Sequence, residues 1–242
     1  MSSASVRTHD KAVYLQEDRY ERPKEIFKRA VELVREAGCL SAGGVVCDVG
    51  CATGEFLYYF SREFPSAKCH GLEIVPELLD RAKQRVPGVE FRLGSVLDRA
   101  ALPAEFADVT FLLGVHSIFD DVEPCLGNLL RWTRKGGRLL VFGLFNPFPL
   151  DVWVKYRSAD HPNPDHREPG WNIVSQASVS TYLDAQLGPG RHRFIPFELP
   201  FDLEPTPDDL VRTWTFQDAR GRRLFTNGLS LLCPLLFLDI RP

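Results

Sequence analysis

The sequence predicts an α/β domain, a mostly parallel sheet flanked by helices. Short apolar runs of strand length alternate with helical stretches from about residue 45 to residue 143. The first run, Val45-Val46-Cys47-Asp48-Val49, passes through a glycine-bearing turn, Gly50 to Gly54, into the apolar helical segment Leu57, Tyr58, Tyr59, Phe60. At 242 residues, with 44% hydrophobic and 25% charged, the chain suits one compact domain.

A formal net charge of −3 gives no general pull toward nucleic acid or an anionic membrane. The six cysteines include no C-x-x-C pair, and several lie inside apolar runs, so buried reduced thiols are expected. The N-terminus is polar, with no signal peptide or membrane span, so the expected location is cytoplasmic.

The turn narrows the ligand class. Its glycines let the backbone approach a ligand closely. The dinucleotide fingerprint G-x-G-x-x-G fails at Ala52 and Glu55, and no Lys-Ser/Thr follows Gly54 as a phosphate loop requires. Asp48-Val49-Gly50-Cys51-Ala52-Thr53-Gly54 instead resembles motif I of the class I S-adenosylmethionine (SAM) dependent methyltransferases, D-x-G-C-G-T-G, with Ala52 at the middle glycine. The resemblance spans roughly residues 40 to 145. It implies a Rossmann-like seven-stranded sheet, mostly parallel with the last strand antiparallel. It also implies SAM as cofactor and S-adenosylhomocysteine as product. Asp48 would organise the turn and the aminoacyl end, and Gly50, Cys51, Ala52 and Gly54 would form its wall.

Residues 1 to about 20 are polar and read as loose. Pro23 then opens a helix carrying Ile26, Phe27, Ala30, Val31, Leu33, Val34 and Ala37, ended by Gly38. Tyr14 and Tyr20 are candidates for a lid over the cofactor, or simply packing aromatics. Ala67 to Ile74 reads as strand two. Glu73 lies about 20 residues past the turn, where nucleotide-binding units place a ribose-gripping carboxylate; the alternative is a cap for the helix from Pro76 to Val86. Ile74 would pack on the adenine. Val89 to Gly94 alternates as strand three. Ser95 stands where the resembled family carries an adenine-binding Asp, so Ser95 and the Val96 backbone are expected at the ring, with Asp98 as a substitute.

Asp108 to His116 reads as strand four, and Gly114 at its end joins the expected cofactor wall. The resemblance puts this strand end beside the reactive methyl, so His116 is the candidate general base, with packing as the alternative. Asp120 and Asp121 are expected to cap the helix Val122 to Thr133. Gly136-Gly137 is expected to end that helix and start strand five.

After Asn146-Pro147-Phe148-Pro149 the pattern breaks. The irregular stretch to about residue 193 is rich in aromatics and histidines, and reads as an acceptor-binding cap with Trp153, Tyr156, His161, His166 and Trp171 as candidates. A helix follows from Ser178 to Leu187, then a strand from Phe194 to Leu203. A hairpin spans Thr213 to Thr226, and Leu229 to Ile240 holds the last strand. No metal is expected: two prolines break the His161–His166 segment. The expected division is a single domain, 1–242, with an N-terminal helical lid (1–40), a cofactor half (41–145), and cap and C-terminal strands (146–242).

The sequence therefore points to methyl transfer from SAM to oxygen or nitrogen of a small-molecule acceptor by a monomer or homodimer. Nucleic acid is disfavoured, because Gly114-Val115-His116-Ser117 stands where base and glutamine methylases carry an Asn/Asp-Pro-Pro-Tyr/Phe motif. The alternatives are a non-catalytic SAM-fold subunit and, more weakly, a nicotinamide oxidoreductase.

Overall fold

A computed structural model describes residues 8–242 of the protein. The chain runs α1 (Thr8–Gln16), α2 (Glu25–Ala37), β1 (Val45–Val49), α3 (Glu55–Glu63), β2 (Lys68–Glu73), α4 (Pro76–Arg85), β3 (Glu90–Leu93), β4 (Ala107–Leu113), α5 (Glu123–Trp132) and β5 (Thr133–Asn146). It continues through β6 (Lys155–Tyr156), β7 (Glu168–Pro169), β8 (Val174–Ser175), α6 (Gln176–Leu187), β9 (His192–Pro196), β10 (Trp214–Gln217), β11 (Arg223–Thr226) and β12 (Leu235–Ile240).

The main sheet has the order β3-β2-β1-β4-β5-β12-β9, and the two-residue β8 adds an eighth strand beside the end of β5. Strands β1 to β5 pair in parallel, while β12 is antiparallel to both β5 and β9. The order reverses between β1 and β4, which opens a crevice at the carboxyl ends of the strands.

Both faces of the sheet are covered, and neighbouring strand residues divide between them. Val46, Phe111, Leu140 and Phe237 face α2 and α3, meeting Val31, Val34, Phe56 and Phe60. Cys47, Leu112, Val141 and Leu238 face the other way, against Leu126, Leu129 and Trp132 of α5 and Val179 and Leu183 of α6. That two-residue period sets the register, because a one-residue slip would exchange the two cores. Trp132, Phe60 and Phe111 are among the largest fully buried side chains. Burial of such a side chain contributes about 1.5–3 kcal/mol.

Four expectations need correction. Residues 8–16 of the supposedly loose N-terminus are helical (α1); residues 1–7 lie outside the described residues. Gly136-Gly137 does not end a helix. Helix α5 stops at Trp132, where Thr133 Oγ1 donates to the Leu129 carbonyl, and the glycines bend β5 internally. There Gly136 donates its N–H to the Pro242 carbonyl, and the β4–β5 register slips between Ala107 and Val109. Strand β9 begins two residues early and ends at Pro196, short of the expected Leu203. Pro200 has no N–H to offer a ladder. Asp120 caps no helix: its Oδ1 accepts from Asn172 Nδ2, while Asp121 Oδ1 accepts from the Glu123 N–H at the start of α5.

Candidate active site

A trough runs along the carboxyl ends of β1, β2 and β4. One end is lined by Gly50, Ala52, Glu73, Ile74, Ser95, Val96 and Gly114. The other is lined by Asp48 and Cys51 and shares Gly50, Ala52, Gly114 and Tyr14 with the first. Nine of the ten residues expected at the cofactor thus gather along one feature. The tenth, Gly54, faces away from it. A Cβ there would stand 2.9 Å from Phe91 Cζ and 3.2 Å from Ala82 Cβ, so this glycine lets α3 close against α4 and β3.

The turn itself is held by backbone bonds. The Gly50 and Cys51 N–H groups both donate to the Leu72 carbonyl at 2.7 and 3.1 Å, tying the loop to the end of β2. Ala52 sits in the left-handed region with φ 46°, where an L-residue is strained by roughly 1–2 kcal/mol. The middle position therefore keeps a glycine-like backbone despite its methyl group.

The two strand-end carboxyls differ sharply. Asp48 is 3% exposed and its Oδ1 has no hydrogen-bond partner. Burial, with the Glu73 charge second, pushes its pKa well above the usual carboxylate range. Glu73 is also buried, but its Oε1 accepts the Ile74 and Val75 N–H groups at 2.8 and 2.9 Å, and its Oε2 accepts the Ala52 N–H at 2.8 Å. Three of about four acceptor positions on that carboxylate are already taken.

Ile74 is half exposed and presents an apolar face to the trough. Ser95 Oγ accepts the Leu97 N–H, and the Val96 carbonyl accepts Asn128 Nδ2. Asp98 caps its own turn through the Ala100 N–H and does not line the trough.

A strap of residues 14–20 closes one side. Arg81 donates to the Leu15 and Glu17 carbonyls, Arg85 lies 3.2 Å from Asp18, and Lys11 is 2.6 Å from Glu77. The Arg19 N–H reaches Glu55 and the Tyr20 hydroxyl donates to the Thr53 carbonyl, both at 2.7 Å. Tyr14 therefore lies in the trough wall, while Tyr20 is a buried anchor beside it. Lys11 and Lys24, also in the walls, were not singled out in the sequence. They sit in a polar stretch with no motif of its own.

His116 lies apart from the trough. Its ring stacks on Phe145 at 4.4 Å and abuts Gly143, where a Cβ would fall 2.2 Å from His116 Cε1. Nε2 lies 3.2 Å from the Leu144 carbonyl, and Nδ1 has no hydrogen-bond partner. Burial pushes its pKa down to about 4. It lines not the trough but an adjoining cavity of about 290 Å³, which shares Phe119 with the trough.

That cavity also takes in Trp153, whose indole N–H donates to the Asp120 carbonyl, and Asn172, which was not among the acceptor candidates. The other cap candidates lie elsewhere. The Tyr156 hydroxyl donates to Glu168, His161 and His166 stack on each other at 4.0 Å, and Trp171 packs against the core. Among the described residues, no group of three or more His, Cys, Asp or Glu is arranged to hold a metal ion. No helix among them is long and apolar enough to cross a membrane.

Comparison with known proteins agrees with this geometry. Residues 47–141 match a family model described as "Methyltransferase domain". The chain is 30% identical over 132 residues to a malonyl-[acyl-carrier protein] O-methyltransferase of Serratia marcescens, covering 52% of this chain and 49% of that protein. It is 31% identical over 102 residues to a trans-aconitate 2-methyltransferase of Azoarcus sp., covering 42% and 40%. The chain spans about half the length of the curated relatives it matches. In fold it is similar to the YcgJ protein of Bacillus subtilis, with TM-score 0.55 and 16% identity, covering 88% of this chain and 98% of that one. Residues 47–141 thus carry a methyltransferase domain.

Proposed function

We propose that the chain is an enzyme that transfers the methyl group of SAM to an oxygen or nitrogen of a small-molecule acceptor. The observation that carries this reading is Asp48 Oδ1: a buried carboxyl oxygen without a partner, at one end of a trough whose other end holds Glu73. A buried carboxyl is costly unless something pairs with it. The ammonium of the cofactor's aminoacyl end is a partner of the right charge.

Within that reading, the residues divide along the trough. Asp48 receives the aminoacyl end, with Gly50, Cys51, Ala52 and Gly114 forming the wall. Glu73 offers its remaining acceptor position, on Oε2, to a ribose hydroxyl, rather than gripping both hydroxyls as the sequence suggests. Ile74, Ser95 and Val96 flank the adenine.

Held by Asp48 and Glu73, SAM would supply an electrophilic methyl carbon to the acceptor's lone pair, the C–S electrons staying on sulfur. An O–H or N–H proton lost by the acceptor goes to solvent. The protein's part is to hold the two reactants in line, and proximity of this kind supplies several kcal/mol. The acceptor enters by the cavity at Phe119, Trp153 and Asn172. The acceptors in the relatives' names, malonyl-[acyl-carrier protein] and trans-aconitate, support an oxygen-bearing group. His116 orients this corner rather than removing a proton, because a buried imidazole held near pKa 4 is a weak base at neutral pH.

Calorimetric titration with S-adenosylhomocysteine, on wild type and Asp48→Asn, tests the reading. Micromolar binding that weakens about tenfold or more in the variant is the expected result. Absence of binding to wild type overturns it and favours a non-catalytic subunit.

A further inference from the structure

The Asp48 end of the trough carries a second charged group that no motif marks. Lys24 sits at the N-cap position of α2 and reaches back into the same compartment. Its ammonium lies 5.4 Å from the centroid of the Tyr14 ring and 5.9 Å from that of Phe27, both of which wall the compartment. The compartment has three charged side chains: Asp48, Glu55 and Lys24. Glu55 is already engaged by the Arg19 N–H. Beside it stand a carboxyl with one unpartnered oxygen and an ammonium, facing the same space.

That pairing is the complement of a zwitterion. An α-amino acid end presents an ammonium and a carboxylate two bonds apart along its backbone, and a site with only Asp48 would leave the carboxylate beside an anion. We propose that Lys24 holds the carboxylate of the cofactor's aminoacyl end while Asp48 holds its ammonium. This assignment rests on the cofactor reading above and extends it to a residue outside the glycine turn.

Lys24 Nζ is also 2.7 Å from Glu17 Oε2 in the strap. That contact does not exhaust it, since an ammonium carries three N–H donors. Nor does Glu17 depend on it alone. Glu17 also pairs with Arg212 and lies 3.7 Å from Arg19. Burial raises the Glu17 pKa, but Lys24 first, then Arg212 and Arg19, outweigh it and hold the carboxyl below its usual range. Lys24 can therefore turn one donor to a second carboxylate while Glu17 stays ionised and held. The alternative is a part-buried strap ion pair and nothing more.

The test is a two-by-two comparison by calorimetry: wild type and Lys24→Gln against S-adenosylhomocysteine and its decarboxylated analogue, which keeps the amine. Wild type is expected to prefer the carboxylate-bearing ligand by about tenfold or more, and Lys24→Gln to lose that preference. The analogue should bind both proteins within about twofold, and Lys24→Arg should retain most of the preference. Equal weakening of both ligands in Lys24→Gln, or unchanged S-adenosylhomocysteine binding, overturns the assignment while leaving the cofactor reading intact. Wild type that binds neither ligand overturns the cofactor reading and this assignment with it. Should Lys24→Gln fail to fold, the ligand pair on wild type still decides: no preference for the carboxylate overturns the assignment.

Discussion

Strands β1 and β2 lie side by side, and each carries a buried acid in its last two residues, yet the two acids are held in opposite ways. Glu73 is held by backbone at three of its acceptor positions, its carboxylate clamping the Ala52, Ile74 and Val75 N–H groups. Asp48, one strand over, leaves an oxygen with nothing to bond. The first is part of the scaffold that shapes the loop. The second is a cost carried by the fold, which a ligand can offset. Charge at a strand end thus has two distinct uses in one site, and hydrogen-bond inventory separates them where residue type does not.

The largest effect should come from breaking the Glu73 clamp. Glu73→Ala orphans three backbone N–H groups and should cost about 3–5 kcal/mol in urea unfolding, enough to confound any binding result. Glu73→Gln is the informative variant for ligand titration.

His116 offers a third buried titratable group for contrast, and its pH signature has the opposite sign from that of Asp48. Its folded pKa is depressed from 6.5 to about 4, so its neutral form is fully favoured above 6.5 and stability is lost as pH falls toward 4. Between pH 7.5 and 4.5 wild type should lose about 2–3 kcal/mol through this group, a slope that His116→Phe removes. Urea midpoints at several pH values would show it.

Asp48→Asn should stabilise the fold by about 1–2 kcal/mol at pH 7 while weakening the ligand. The folded pKa of Asp48 is raised, so its contribution is intact below the usual value of 3.8 and erodes as pH rises. The variant's advantage should therefore grow from acid toward neutral pH. Identical pH profiles for variant and wild type would show that Asp48 is not the unpaired group described here.

The smallest change is Ala52→Gly. It releases the strained φ of 46° but adds chain entropy to the unfolded state, for a net gain of about 0.5–1 kcal/mol. A loss of stability instead would mean that the methyl group packs favourably in the loop.

Legibility followed regularity. Strands β1 to β4 announce themselves because both their faces are buried, and the glycine turn because a tight loop admits few residues. Glu73 was found by its offset from that turn, though nothing in the sequence says that its oxygens are already occupied. For His116 base and packing stood side by side, because a strand-end histidine looks the same whether it opens onto a ligand or lies against Gly143 and Phe145. The cap resisted reading for a further reason. Its strands β6, β7 and β8 have two residues each, too short for any period, so Trp153 and Asn172 meet at the cavity through long-range contacts alone. Helix α1 is short and polar, and its position is set by charges on α4 rather than by an apolar stripe of its own.

The placement of β12 bears on how the protein is made. It is the last described strand to emerge during synthesis, yet it lies inside the sheet, between β5 and β9, with Asp239 paired to Arg138 and Arg193. Until it arrives, β5 carries a long apolar edge, Leu139 to Leu144, with unpaired backbone groups. Such an edge invites pairing with another nascent chain. Strands β1 to β5 and the glycine turn can assemble early, so a ligand that binds the trough would reach a half-closed sheet. Slow translation through residues 200–234 should then favour aggregation, and S-adenosylhomocysteine added during synthesis should raise the soluble yield.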